Sequence, residues 1–172
     1  MNLSRPLNVR SRGESLQVFM RPIEFSDAEA LAAAYSRNAQ HLEPWEPRRE
    51  KWFFTTPGQE MVIQGKLDQY AAGSEVPWVI FTGETVIGMI TLTGIVRGPF
   101  LNANLGYWVD ATHTGRGLAN AAVEAVLGMA AGELELHRVQ AATLPHNAAS
   151  QVVLKRRIRE HRACRFLPEN RR

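Results

Sequence analysis

The stretch "LGYWVDATHTGRGLANAAVEAVLGMA" (residues 105–130) joins a strand signal to a helix signal through a loop that contains two glycines. The first part, up to Asp110, is rich in aromatic and branched apolar residues, which is typical of a short strand. From Leu118 onward, apolar residues recur every three to four positions, as on the buried face of a helix. We therefore predict a strand–loop–helix unit centred on the loop "ATHTGRG".

This loop has the properties of an anion site. Gly115 and Gly117 remove side chains where a ligand would approach the backbone. The helix behind them offers unpaired N–H groups and the positive end of its dipole, and Arg116 adds a cation. The pattern is neither a dinucleotide fingerprint, because Asn120 replaces the third small residue, nor a nucleoside-triphosphate loop, because no Gly-Lys-Ser/Thr follows. Two readings stay open: a pyrophosphate site of another kind, and a tight turn that binds nothing.

The rest of the chain predicts a mixed α/β domain with the order β-α-α-β-β-β-α-β-α. The first predicted strand is "QVFMRPI", followed by a helix that Ser26 and Glu29 cap and a second helix with Thr56 as its cap and Pro57 at its first position. Three strands precede the quoted stretch's loop, and "HRVQAATL" follows its helix as another strand. Asn147 is expected to cap a last helix, "AASQVVLKR". A chain of 172 residues favours one domain.

Composition narrows the classes of protein. The chain has one cysteine, Cys164, no apolar run long enough for a membrane span and no signal-like start, so we expect a cytoplasmic protein without disulfides. Eight of its 20 Lys and Arg residues and two of its 17 acidic residues lie from Lys155 onward, so the first 154 residues hold 12 basic and 15 acidic residues, a net charge of −3. The body therefore lacks the positive charge that nucleic-acid binding needs.

Taken together, the quoted stretch and "ELHRVQAATLPHNAASQVVLKR" resemble the core of the GNAT superfamily of N-acetyltransferases, and more closely its RimJ/RimL-type members, which acetylate the N-termini of ribosomal proteins. "HLEPWEP" (residues 41–47) and "IVRGPF" (residues 95–100) agree with that subgroup. The resemblance implies a central, mostly antiparallel, twisted sheet flanked by helices. It also implies transfer of an acetyl group from acetyl-CoA, without a metal, to a primary amine by direct attack in a ternary complex. The expected acceptor is a protein α-amine, with a small-molecule amine as the alternative.

The resemblance also assigns residues. Asn147 is expected to contact CoA, and Ser150 to protonate the leaving thiolate as the catalytic residue, although both also suit helix capping. The pantetheine arm is expected along the strand, and the pyrophosphate on the loop amides. The further cofactor-binding residues are Tyr107, Trp108, Val109, Thr114, Gly115, Arg116, Gly117, Leu118 and Ala119.

The acceptor is expected to meet Trp45 and Glu46 in "HLEPWEP", with Arg97 as a further contact for an acidic acceptor. A general base is harder to assign. Glu46 and His146 are both candidates, and each also has an ordinary structural explanation. Of the aromatic residues in and after this loop, we expect most to be core (Trp45, Trp52, Phe53 and Phe54).

The tail departs from the resemblance. Residues 1–156 are expected to form the acetyltransferase domain and 157–172 a disordered basic tail, in place of the closing strands of the family. The genetic code permits codons for the tail which, when read one base later, encode Gly-Phe, Tyr-Leu and Gly in the family's register. We therefore interpret the tail as the product of a frameshift near codon 156. Such a replacement puts the activity of this chain in doubt. The rival interpretation is a non-catalytic protein that binds RNA or the ribosome through these arginines. The expected assembly is a monomer or homodimer.

Overall fold

The computed structural model describes residues 3–11, 14–160 and 164–168. Seven strands form one sheet in the order of the chain. The strands are β1 (Arg5–Ser11), β2 (Glu14–Pro22), β3 (Val76–Thr82), β4 (Thr85–Val96), β5 (Asn102–Val109), β6 (Arg138–Thr143) and β7 (Cys164–Pro168). The helices are α1 (Ala28–Leu42), α2 (Thr56–Ala71), α3 (Leu118–Ala131) and α4 (Ala148–Glu160). Neighbours from β1 to β5 are antiparallel, whereas β5, β6 and β7 run parallel.

Helices cover both faces of the sheet. Successive strand residues point to opposite faces, so Trp78 and Val79 of β3 enter different cores. Trp78 lies in the larger core, which packs the sheet against α3. Val79 lies in the smaller core, with residues of α1 and α2. The predicted fold class, a mostly antiparallel sheet flanked by helices, is therefore confirmed.

The starts of α1 and α2 differ from the predicted ones in the side chains that cap them. The Ser26–Glu29 box does not begin α1; instead Asp27 accepts the N–H of Glu24 (2.8 Å), and Arg21 grips Asp27 with two nitrogens. At α2, Thr55 rather than Thr56 is the cap, because its hydroxyl accepts the N–H of Gly58 (3.2 Å). α2 ends at Ala71, and Ala72 is its C-cap.

The two ends of the chain differ from the prediction. β1 was not predicted, because only Leu7 and Val9 mark its buried face. In the region predicted to be a disordered basic tail, α4 continues to Glu160 and β7 pairs with β6 over Cys164–Pro168, so a strand does follow α4. Residues 161–163 and 169–172 of that tail lie outside the described residues, and the domain boundary at 156 stays a prediction.

Candidate active site

The site begins where two neighbouring strands separate. β5 and β6 pair from Asn102↔Arg138 to Leu105↔Ala141 and then stop pairing, although β5 continues to Val109. The other edge of β5 stays bonded to β4 up to Gly88↔Val109. In an antiparallel pair, every second residue directs its N–H and C=O away from the partner strand. The backbone of residues 106–109 therefore presents free donors and acceptors to the gap.

The predicted anion loop lies at the end of this free edge. Gly115 and Gly117 have φ angles of +71° and +80°, a left-handed backbone that favours glycine. Gly117 is the N-cap of α3, and no side chain caps the helix. The first N–H groups of α3 are thus left for a ligand, and exposed Arg116 stands beside them. Thr114 bonds within the loop, its hydroxyl donating to the carbonyl of Ala111 (2.9 Å).

A polar cluster around the buried carboxylate of Asp110 holds the loop against α1, and no sequence pattern predicted it. The carboxylate of Asp110 accepts hydrogen bonds from Arg37 (2.9 Å), Asn38 (2.8 Å) and both the N–H and hydroxyl of Thr112 (2.9 and 2.6 Å). Asn38 also accepts the N–H of Ala111 (2.8 Å). Although burial alone would raise the pKa of Asp110, these hydrogen bonds hold it well below its ordinary value of 3.8. Asp110 is therefore ionised at neutral pH and anchors the start of the loop.

On the far side of the gap, α4 approaches β5 through two hydroxyl groups. The Tyr107 hydroxyl and the Ser150 hydroxyl are 3.0 Å apart, and either one can donate. Burial raises the pKa of Tyr107, so its phenol stays protonated. Asn147 accepts the N–H of Ser150 (3.0 Å), which is the capping geometry expected for it. Ser150 and Tyr107, predicted from separate segments, thus meet across the gap.

A cavity of about 660 Å³ opens on the α1–α2 face of β5. It is lined by Tyr35, Glu46, Arg48, Arg49, Glu50, Trp52, Phe53, Met61, Val62, Gly65, Lys66, Gln69, Met89, Thr91, Gly106, Tyr107 and Trp108. Burial raises the pKa of the Glu46 carboxyl, although the neighbouring Arg49 opposes this shift. A carboxylate whose pKa lies above the usual range and which faces a cavity suits a general base.

Tyr35 is a cavity residue that the sequence did not single out. Its hydroxyl accepts the indole N–H of Trp108 (2.9 Å), and burial raises its pKa strongly. The Trp108 side chain thus packs under the cavity, and only its backbone belongs to the free edge of β5. The signal for Tyr35 is weak in the sequence, because a tyrosine in an alanine-rich helix reads as an ordinary core residue.

The remaining predictions for the acceptor side have different outcomes. The Trp45 ring packs 5.4 Å from the His146 ring, which links "HLEPWEP" to the segment before α4. Arg97 does not reach the cavity, because its guanidinium donates to the Leu134 carbonyl near the start of β5. The start of β5 lies roughly 17 Å along the strand from Tyr107. Its predicted acceptor contact therefore lacks support. Among the four aromatic residues expected mostly in the core, Phe53 is buried, whereas Trp45 and Trp52 are exposed.

Among the described residues, no group of three or more His, Cys, Asp and Glu side chains is arranged to hold a metal ion. Within the same part of the chain, no helix has the length and apolar character to cross a membrane.

Comparison with known proteins agrees with this geometry. Residues 17–157 match the family model described as the acetyltransferase (GNAT) domain. The probable N-acetyltransferase YjcK of Bacillus subtilis is 33% identical over 141 residues, which cover 81% of this chain and 78% of that protein. The [ribosomal protein uS5]-alanine N-acetyltransferase of Escherichia coli is 28% identical over 142 residues, covering 81% and 73%.

Solved structures give the same result. The RimJ protein of Mycobacterium smegmatis in complex with CoA-disulfide superposes with a TM-score of 0.81 at 30% identity, over 88% of this chain and 72% of that one. The ribosomal-protein-S5-alanine acetyltransferase of Vibrio fischeri gives 0.77 at 30% identity, over 81% and 77%. With the strand gap, the uncapped helix and the family match all in agreement, the chain belongs to the GNAT family of N-acetyltransferases and resembles its RimJ/RimL-type members.

Proposed function

We propose that this protein transfers the acetyl group of acetyl-CoA to the N-terminal α-amine of a protein, with a ribosomal protein as the expected acceptor. One observation carries the proposal. A single cavity is lined both by Gly106 and Tyr107, on the free edge of β5, and by Glu46, whose pKa is raised. The place for the thioester and a base for the amine therefore share one space.

The cofactor is held mainly by backbone groups. The pyrophosphate binds the N–H groups between Thr114 and Ala119, where the helix dipole of α3 and Arg116 favour negative charge. The pantetheine arm runs along the free edge of β5 and bonds to the backbone of residues 107–109. A free N–H of this edge polarises the thioester carbonyl and stabilises the oxyanion that forms during attack.

Glu46 prepares the acceptor. An α-amine has a pKa of about 7.7–8.0, so its neutral form costs only ~1 kcal/mol at pH 7, whereas a lysine near 10.4 costs ~4.6 kcal/mol. The amine nitrogen attacks the thioester carbon, a C–N bond forms, and Glu46 takes the proton that the nitrogen loses. The small cost for an α-amine suits a site with one carboxylate as its base.

The leaving group is protonated from the opposite side of the gap. The C–S bond breaks and leaves the thiolate of CoA. The hydrogen-bonded pair Tyr107–Ser150 supplies its proton, since both hydroxyl groups are protonated at neutral pH. Tyr107 lines the cavity and Ser150 bonds to it, so the serine predicted from the sequence acts together with the tyrosine.

The relatives support the acceptor class. The proteins compared above that carry a substrate in their names are alanine acetyltransferases of ribosomal protein uS5 or S5, at 28–30% identity. We extend to this chain the cytoplasmic location that such an acceptor needs.

Release of CoA thiol in the presence of three acceptors tests the proposal. The acceptors are a peptide with a free N-terminal alanine, the same peptide with a blocked N-terminus and an internal lysine, and a small primary amine. We expect thiol release and acetylation of the first peptide, with at least about tenfold lower kcat/KM for the other two. Turnover of the small amine alone would establish a small-molecule acetyltransferase instead.

A further inference from the structure

Helix α2 contains a glycine for which the fold itself gives no reason. Gly65 lies in the helix interior, where glycine is among the least favourable residues. Its φ angle is not in the left-handed region, and outside its own helical turn an added Cβ would meet no atom of the described residues within 4 Å. Gly58 of the same helix differs, because its Cβ would lie 1.9 Å from the Trp52 carbonyl oxygen. Packing therefore requires Gly58 and leaves Gly65 unexplained.

The space beside Gly65 is the cavity of the active site. Gly65 lines it together with Met61, Val62, Lys66 and Gln69, which lie three to four residues apart on one face of α2. Gly106 lines the same cavity from β5, and a Cβ there would also meet nothing within 4 Å. Two missing side chains, one on the helix and one on the strand, thus enlarge one cavity.

The side chains of the cavity wall near Gly65 that are exposed to solvent include two large apolar ones. Met61 is 70% exposed and Trp52 is 51% exposed, so both present apolar surface that no part of the described chain covers. Two of the cations of the cavity have partners: Lys66 pairs with Glu75 (2.7 Å) and Arg49 with Glu46 (3.5 Å). A ligand would therefore gain more from burying apolar surface here than from a charge contact.

We propose that Gly65 is a specificity-determining position. Its missing side chain leaves room for the second residue of the acceptor, the one after the residue that carries the reacting amine. This inference rests on the proposed function. A polypeptide whose amine reaches Glu46 and Tyr107 must pass out of the cavity along its walls, whereas a small amine needs no such passage. The exposed apolar wall selects an acceptor with an apolar side chain at its second position.

Steady-state kinetics with two peptides tests the inference. The peptides begin Ala-Leu and Ala-Gly and are otherwise identical. We expect the wild-type protein to have the lower KM for Ala-Leu. Gly65→Leu fills the space, so it raises the KM for Ala-Leu by roughly tenfold or more and the KM for Ala-Gly by less, while the KM for acetyl-CoA stays within about twofold. Gly65→Ala gives a smaller rise together with a higher melting temperature, because alanine favours the helix.

Gly128→Leu is the matched control. Gly128 lies in the interior of α3, also has no atom within 4 Å of an added Cβ, and does not line the cavity. This variant is expected to leave both peptide KM values unchanged. An unchanged KM for Ala-Leu in Gly65→Leu, or an equal rise for acetyl-CoA, would overturn the inference and leave the proposed function intact. A wild-type protein that acetylates neither peptide would overturn both.

Discussion

The role proposed for Glu46 in the reaction would come at a cost to the stability of the fold. Its side chain is largely withdrawn from water, and burial raises the pKa of its carboxyl above the ordinary value of 4.5. Because the folded protein favours the protonated form, the ionised form lowers stability at neutral pH, and this loss disappears as the pH falls below 4.5. The ionised form is also the one that can take a proton from the acceptor.

Glu46→Gln should therefore separate stability from activity. At pH 7 we expect kcat to fall by about 100-fold or more and the acidic limb of the pH–rate profile to disappear. The melting temperature at pH 7 should rise slightly, and the rise should vanish at pH 4. Glu50→Gln, which removes the other carboxylate of the cavity, is the control and should keep the acidic limb. Retention of that limb in Glu46→Gln would exclude Glu46 as the base.

The pKa of Asp110 is lowered, whereas that of Glu46 is raised. Its hydrogen bonds hold its pKa below 3.8, so its contribution to stability is present above that pH and is lost as the pH falls toward the lower, folded-state pKa. In Asp110→Asn, an uncharged amide replaces the carboxylate that accepts hydrogen bonds from Arg37, Asn38 and Thr112. We expect the free energy of unfolding at pH 7 to fall by about 3 kcal/mol.

Urea unfolding at pH 7 and below pH 3 measures this effect. The difference from the wild-type protein should narrow at the lower pH, because below pH 3.8 the Asp110 carboxyl of the unfolded wild-type protein binds a proton and the wild-type protein loses stability. Asp68→Asn, on the exposed face of α2, should change the free energy of unfolding by less than about 0.5 kcal/mol. A difference for Asp110→Asn that does not depend on pH would contradict the proposed charge of the cluster.

At the scale of elements, the proposed mechanism places both attack on the thioester and departure of the thiolate at the gap between β5 and β6. Pairing ends at Leu105↔Ala141, and beyond it α4 is connected to β5 by the Tyr107–Ser150 hydrogen bond. In the proposed mechanism, β5 offers its backbone edge to the cofactor and its Tyr107 hydroxyl to the leaving group. Because one strand supplies both, a shift of β5 relative to α4 would disturb proton transfer without removing the cofactor site.

Tyr107→Phe, Ser150→Ala and the double variant test whether the two hydroxyl groups act as a unit. We expect each single variant to lower kcat by about 100-fold and the double variant to be no slower than the slower single one, since groups that act together are not additive. Calorimetric affinity for acetyl-CoA should stay within about twofold of the wild-type value. Ser36→Ala, which removes an exposed hydroxyl of α1, is the control. Multiplicative losses would show two independent roles.

Sequence patterns predicted those elements whose signals are local. The interior of α3 and its two loop glycines follow from apolar spacing and from the backbone that a strand-to-helix turn needs. β1 escaped prediction because its two buried residues do not outweigh its polar ones, and β7 because its pairing with the distant β6 is not a local property. The helix caps shifted because Asp27 and Thr55 are selected by contacts that spacing does not show.

At the scale of the molecule, the sequence singled out Glu46 among the residues that line the cavity on the α1–α2 face, but not Tyr35 or Gly65. The loop, Tyr107 and Ser150 lie in segments with strong local signals, so their resemblance to a known family located them. The acceptor half is built from α1, α2 and the loop between them, which meet β5 only in the folded chain. Asp110, Tyr35 and Gly65 owe their significance to that meeting, and Arg97 lost its proposed role because the fold takes it elsewhere.

The central claim is that this chain holds acetyl-CoA on the free amides of α3. Calorimetric titration of acetyl-CoA into the wild-type protein, Gly117→Val and Gly73→Val tests it most directly. Gly73 has a φ angle of +72°, close to the +80° of Gly117, so valine strains both backbones similarly, but Gly73 follows α2, away from the loop. We expect affinity on the order of micromolar for the wild-type protein and Gly73→Val, and none for Gly117→Val. No binding by the wild-type protein, or equal losses in both variants, would contradict the account.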